Sequence, residues 1–150
     1  MQTIDAHSTP LAAAIAAARA APLSRKRAML AALLIDRAID EHFEASGKTD
    51  ILAFRAELAA AHPALGVVMA LAAMIEPGPR LVLEPVAVPP ADHPTLGVED
   101  YMVSLYNSGT VFRLRLALPD GTRRDAHEVL ADAARALRPL PPPRGEGSAA

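Results

Sequence analysis

The sequence changes character within residues 63–88, PALGVVMALAAMIEPGPRLVLEPVAV. Its first part, Ala64–Ile75, is an unbroken run of twelve apolar residues, which predicts a buried helix opened by Pro63. That run is too short to span a bilayer. The next residues, Pro77-Gly78-Pro79, end helical structure, because proline cannot continue a helix and glycine favours turns. The stretch therefore divides the chain into a helical half and a β-rich half.

The residues that follow the break predict a strand. Arg80–Val88 is rich in valine and leucine, but Pro85 has no N–H group to donate to a β-ladder. We therefore expect an edge strand or a bulged strand. Residues 89–97 are then expected to form a loop.

On the N-terminal side, capping residues and breakers predict three further helices. Ser8 or Thr9 caps the first, with Pro10 at its first position. Ser24 caps a longer second helix, which we expect to end at Ser46-Gly47. Thr49 or Asp50 caps a third, ending near Ala61.

The second helix raises a question of burial. Its first part, Ala28–Ile35, is apolar on every side, whereas residues 36–44 are amphipathic. A segment that is apolar all round must be enclosed by neighbours, from its own chain or from another.

On the C-terminal side the sequence predicts a β-hairpin formed by Tyr101–Asn107 and Thr110–Leu118, around Ser108-Gly109. A two-residue loop places three pairs of apolar residues on one face: Leu105 with Phe112, Val103 with Leu114, and Tyr101 with Leu116. A three-residue loop would place Arg113 and Arg115 opposite core positions. We therefore expect the first register, since a slip by one residue turns every side chain to the other face.

The end of the chain adds a turn, a short strand and a helix. Pro119-Asp120-Gly121 has the composition of a tight turn, and Thr122–Arg124 can extend the meander. Asp125 and Glu128 form a capping pattern that opens a helix to about Arg138. The capping role explains this D-x-H-E motif better than a metal or acid–base role.

Together these elements predict an α+β fold: about four helices packed on a three- to four-stranded antiparallel β-meander, with one C-terminal helix. Residues 1–138 are expected to form a single domain, and residues 139–150, rich in proline and glycine, a disordered tail. A chain of 150 residues suits one domain.

Composition excludes several function classes. The chain has no cysteine, which excludes disulfides, cysteine zinc sites and thiol nucleophiles, and fits the reducing cytoplasm. The formal net charge is −2: residues 1–76 carry seven Lys/Arg against eight Asp/Glu, and residues 77–150 eight against nine. Neither half is basic, so nucleic acid is not an expected partner. No secretory signal or membrane segment is predicted. The alanine, arginine and proline content suggests a GC-rich bacterial genome.

The outer face of the predicted hairpin is the candidate ligand site. The chosen register sets Ser104 and Tyr106 opposite Arg113 and Val111, with Arg115 beside them. Guanidinium groups beside an aromatic ring and a hydroxyl group can bind a small anion or single-stranded nucleic acid. An ordinary solvent-facing sheet, with arginine stems lying on its apolar residues, explains the same pattern.

A second candidate lies in the loop at Asp92-His93-Pro94. An aspartate can tune the basicity of a neighbouring histidine, but a turn role for Asp-x-Pro explains the motif better than catalysis does. No nucleophile–base pair, metal-ligand spacing or phosphate loop can be assembled from the sequence, and neither a cofactor nor a metal is predicted.

Three hypotheses follow. The first is a non-catalytic interaction or assembly module that forms a homodimer, because the chain has much all-round apolar helix and only 3% aromatic residues. The second is a protein that binds a small anion or nucleic acid through Arg113 and Arg115. The third, with least support, is an enzyme that uses Asp92, His93 and Tyr106.

Overall fold

The structure, a computed structural model, describes residues 9–106 and 109–138. In these ranges six α-helices and three strands are found, with a short 3₁₀-helix before the fifth α-helix. In chain order they are α1 Pro10–Ala20, α2 Arg25–Ser46, α3 Ile51–Ala61, α4 Pro63–Ala73, β1 Arg80–Ala87, the 3₁₀-helix Pro90–Thr95, α5 Val98–Tyr106, β2 Thr110–Ala117, β3 Arg123–Asp125 and α6 Ala126–Leu137. The α+β class predicted from the sequence is confirmed.

The first three helices begin at the predicted caps. The side chains of Thr9, Ser24 and Asp50 each accept a hydrogen bond from the backbone N–H group three residues later, at 3.1, 3.2 and 3.1 Å. These bonds satisfy N–H groups that have no partner within the helix. Gly47 ends α2 in the left-handed conformation, with φ of 77°, which glycine adopts at low cost.

The core lies where α2 packs against α4 and α6. On α2 the buried residues recur with helical spacing: Ala28, Ala31, Ala32, Ile35 and Ile39. Alanine at three of these positions lets neighbouring helices approach closely. The α3–α4 contact is also close, since a Cβ atom placed on Gly66 would lie 3.1 Å from the Cβ atom of Ala59.

The sheet has the order β1-β2-β3 with antiparallel neighbours, so it is a meander as predicted. Leu83 lies opposite Leu114 in the β1–β2 ladder, and Glu84 lies opposite Arg113. One face of β2 enters the core through Leu114 and Leu116, which are both 1% exposed. As predicted, β1 is an edge strand, and its outer position accommodates Pro85.

The predicted hairpin is wrong. Val98–Tyr106 forms α5 rather than a strand, and β2 pairs with β1 through eight residue pairs. Glu99 and Asp100 stand in the first turn of α5, where negative charge is favoured by the helix dipole. The apolar residues of this segment fit helical spacing as well as the alternation of a strand, so the pattern alone does not distinguish the two structures. Ser108, the first residue of the expected two-residue loop, and Asn107, which precedes it, lie outside the described residues.

The C-terminal elements follow the prediction closely. The third strand is Arg123–Asp125, one residue later than expected. Asp125 then caps α6, because its carboxylate accepts the N–H of Glu128 at 3.0 Å. The first eight residues and the predicted disordered tail, 139–150, lie outside the described residues.

Within the described ranges no helix is long and apolar enough to cross a membrane. The apolar run of α4 is buried inside the protein, where Leu65, Val68 and Leu71 belong to the hydrophobic core. The prediction of a core helix is thus confirmed for residues 64–73, but it is wrong for Met74 and Ile75, which lie beyond the end of α4 and are 68% and 67% exposed.

Candidate interaction surface

Arg113 and Arg115, the two arginines predicted to carry a ligand site, share the outer face of β2. The side chain of Arg113 is tied to α5, with Nη1 3.0 Å from Oδ2 of Asp100. The same Nη1 donates to the carbonyl oxygen of Phe112 at 3.0 Å. This guanidinium therefore already has a carboxylate and a carbonyl group as partners.

Arg115 lies further along β2, beside the short third strand. Its Nη2 donates to the carbonyl oxygen of Arg123 at 3.4 Å, and its Nε is buried without a hydrogen-bond partner among the described residues. The neighbouring Arg123 donates from Nε to Oε2 of Glu84 at 3.2 Å. The outer face thus carries carboxylates as well as guanidiniums, which reduces its attraction for an added anion.

The structure does not bring Ser104 and Tyr106 into the predicted row opposite the arginines. Both are residues of α5, so their backbones follow a helix rather than a strand paired with β2. Their side chains lie outside what the structure describes. The predicted arrangement of hydroxyl, aromatic ring and guanidinium depended on the hairpin register, and that register is not formed.

Asp92 and His93 lie in the 3₁₀-helix between β1 and α5. The Asp92 N–H donates to the carbonyl oxygen of Pro89 at 2.9 Å, and the Asp92 carbonyl oxygen accepts from Oγ1 of Thr95 at 2.6 Å. These bonds build a tight turn. The His93 side chain is outside the description. Among the described residues no cluster of histidines and carboxylates could hold a metal ion.

A different surface stands out on α2. Two leucines of its apolar first part face outward: Leu30 is 50% exposed and Leu33 is 39% exposed. They lie on the same arc of the helix as Met29 and Lys26, since these positions are three or four residues apart. The core therefore encloses one side of Ala28–Ile35 completely, and the opposite side is only partly covered by the described residues.

Next to this arc lies a groove of about 380 Å³ between the start of α2, the end of α4 and the start of β1. Its apolar lining includes Met29, Leu71, Met74, Ile75 and Leu81. Met74 and Ile75 follow α4 and are 68% and 67% exposed. We call this feature the α2–α4–β1 groove.

Three cations stand at the rim of the groove: Arg25, Lys26 and Arg80. Among the described residues no ion pair engages any of them, although eight ion pairs are formed elsewhere. One carboxylate, Glu76, also lines the groove. The rim is therefore cationic beside an apolar floor, and it favours an occupant that is apolar with negative charge at its margin.

A partial signal for this surface is present in the sequence. The all-round apolar part of α2 indicated a helix that needs enclosure on every side, but not which side the chain itself would cover. The contribution of Met74, Ile75 and Arg80 was not foreseen. These residues flank the Pro77-Gly78-Pro79 break, and they meet α2 only through the tertiary fold.

Comparison of the chain with protein-family models, with curated proteins and with solved structures finds no match. The interpretation of the surface therefore rests on its own geometry and chemistry.

Proposed function

We propose that this protein is a non-catalytic interaction or assembly module, and that it self-associates as a homodimer through the α2–α4–β1 groove and the adjoining leucines of α2. The observation that carries the proposal is the meeting of exposed apolar residues from separate elements. Met74 and Ile75, which follow α4, line the groove together with Met29 of α2, and Leu30 and Leu33 lie on the adjoining arc of α2. Grouped exposure of this kind is typical of interaction surfaces, whereas single exposed leucines are ordinary.

The energetic argument is that these side chains gain from leaving water. Full burial of a leucine, isoleucine or methionine contributes roughly 1.5–3 kcal/mol relative to exposure. Several such residues at one surface can offset the loss of translational and rotational freedom on association. Rim charges such as those of Arg25 and Lys26 then contribute more to orientation and partner choice than to affinity.

Sedimentation velocity and light scattering of the purified full chain test the proposal. We expect a dimer at high micromolar concentration. The double substitution Leu30→Ser and Leu33→Ser should shift the protein to monomer without loss of folding, because both side chains are exposed. A clean monomer for the unmodified chain at that concentration would rule out the homodimer.

Leu52→Ser provides the matched control. Leu52 is a helical leucine that is 77% exposed, but it lies on α3 and does not line the groove. This variant should dimerise like the unmodified chain. Equal loss of dimer in the control would show that solubility rather than this surface governs association.

A second candidate is binding of a small anion at the outer face of β2. The buried Nε of Arg115, which has no partner among the described residues, favours it. The pairing of Arg113 with Asp100 counts against it. In a thermal-shift screen of anions and nucleotides, any ligand that binds there should lose its effect when Arg113 and Arg115 are both replaced by alanine. Retained affinity would exclude this site.

The proposal includes a cytoplasmic location. The cysteine-free composition supports it, because proteins of the reducing cytosol need no disulfide framework.

A further inference from the structure

The fifth helix carries exposed apolar residues together with negative charge. Val98 is 82% exposed, and Tyr101 and Met102 are 42% and 46% exposed. These positions are three and four residues apart, so the three side chains share one face of α5. Glu99 and Asp100 stand beside them in the first turn, and the last turn has no basic residue.

This helix is complementary to the α2–α4–β1 groove, because both have apolar side chains and their charges are of opposite sign. The groove offers an apolar floor and the cations Arg25, Lys26 and Arg80. The fifth helix offers an apolar face and the carboxylate of Glu99, which forms no ion pair with the described residues, whereas Asp100 is already paired with Arg113. Amphipathic helices bind such grooves through anchors spaced three and four residues apart. Opposite charges at the margin would fix the orientation of the helix in the groove.

We infer that α5 of a second copy of this chain docks in the α2–α4–β1 groove. The inference rests on the proposed homodimer and names the contact that forms it. A twofold dimer carries the contact twice, because each copy supplies one groove and one α5, and such an interface is self-complementary.

The position of α5 in its own chain leaves it available for this contact. It packs against β2 near Arg113, where Asp100 holds it. The groove lies at the other end of the β1–β2 ladder, where Arg80 is paired with Ala117 and Leu81 with Leu116. No residue of α5 lines the groove of its own chain within the described residues.

Variants on the two sides of the contact test the inference in the full chain. The groove variant combines Lys26→Glu and Arg80→Glu, two cations without ion pairs among the described residues. The helix variant combines Val98→Ser and Met102→Ser, two exposed side chains. Each variant alone should raise the dimer dissociation constant at least about tenfold. Circular dichroism and thermal melting should show that both remain folded.

The decisive measurement is an equimolar mixture of the two variants. The groove of the helix variant and the α5 of the groove variant are both intact, so a mixed dimer retains one of its two contacts. The substitutions must abolish the contact that they damage, so that neither homodimer keeps a contact. Sedimentation of the mixture should then show dimer at concentrations where either variant alone is monomeric. Monomer in the mixture at all concentrations would overturn the reciprocal contact.

Other outcomes separate this inference from the proposed function. If the Leu30/Leu33 variant is monomeric but the helix variant dimerises like the unmodified chain, the homodimer stands and α5 is not its occupant. If native mass spectrometry finds a monomer with a small amphiphilic anion bound, and the groove variant loses that anion, the groove is a ligand site and both proposals fail.

Discussion

Nη1 of Arg113, on the central strand, lies 3.0 Å from Oδ2 of Asp100, in the first turn of α5. The two side chains are about one-third and two-fifths exposed, so the pair is partly screened by solvent. Its importance lies in its position. It links the outer face of the sheet to the helix that we infer to contact a second copy.

The first prediction concerns this link. Asp100→Asn should loosen α5, because the asparagine side chain keeps its shape but loses the charge that attracts Arg113. Global stability should fall by no more than about 1 kcal/mol, as for other partly exposed ion pairs. Hydrogen exchange of the α5 amides, measured at a concentration that keeps the protein monomeric, should become faster.

Glu99→Gln is the control for Asp100→Asn. Glu99 is the neighbouring carboxylate and forms no ion pair with the described residues. It should leave exchange in α5 nearly unchanged. If both variants accelerated exchange equally, the helix dipole rather than the Arg113 contact would account for the effect.

The second prediction concerns Arg55 on α3, which bridges two carboxylates of α2. Its Nη1 lies 2.8 Å from Oδ1 of Asp36, and its Nη2 lies 2.7 Å from Oδ1 of Asp40. The hydrogen bond to Asp36 raises the pKa of Arg55; burial opposes this increase, and the hydrogen bond to Asp40 adds to it. The guanidinium therefore stays charged at every pH at which the fold is studied.

Replacing Arg55 with methionine should cost about 1–2 kcal/mol in the free energy of unfolding, because two half-buried carboxylates lose a charged hydrogen-bond donor. Arg37→Met is the comparison. Arg37 forms an exposed pair with Glu41 at 3.9 Å on the same helix, and its loss should change stability by less than about 0.5 kcal/mol. Urea denaturation measures both, and equal costs would contradict the bridging role.

The third prediction concerns the cap of α6. Asp125→Ala should destabilise the protein by about 1 kcal/mol, because the N–H of Glu128 would lose its acceptor. Asp125→Asn retains a side-chain oxygen at the same position and should recover most of that loss. Thermal unfolding compares the two variants, and the cap assignment fails if asparagine is no better than alanine.

The fourth prediction concerns the pH response of the turn between β2 and β3. Oδ1 of Asp120 accepts from Oγ1 of Thr122 at 2.7 Å and from its backbone N–H at 2.9 Å. These bonds favour the charged carboxylate, with the hydroxyl bond the larger effect, and lower the pKa of Asp120.

The sign of the response follows from this shift. Because the pKa is lower in the folded state, the turn gains stability at pH values above the ordinary aspartate pKa and loses it as the pH falls through the folded value. Thr122→Val should raise the pKa of Asp120 towards its ordinary value, since it removes the hydroxyl donor and keeps the backbone donor. NMR titration of the carboxyl carbon measures the change, and an unaltered pKa would exclude the hydroxyl as the main cause.

At the candidate site, the features that the sequence predicts and those that it misses differ for one physical reason: helical patterning is local, whereas exposure depends on tertiary packing. The leucines of α2 were recognised as part of an apolar segment that needed enclosure, since hydrophobic periodicity is visible within one helix. The sequence did not show which side of α2 stays exposed, because that depends on where α4 and α6 pack. The arginine site was inferred from a hairpin, and it lost its expected neighbours when residues 101–106 proved helical.

The sequence by itself determined that the fold is α+β and where five of the six α-helices begin, all except α5. Those signals are local: Ser24, Asp50 and Asp125 each bond to the N–H group three residues away, and the break at residues 77–79 acts on the chain at that point. Only the tertiary structure decided that β2 pairs with β1, a strand more than twenty residues earlier, rather than with the segment just before it. Strand pairing depends on how segments far apart in the sequence pack together, and residues 98–106 fit the apolar periodicity of a helix as well as that of a strand. The same long-range packing set α5 beside Arg113 and left the groove beside α2 exposed.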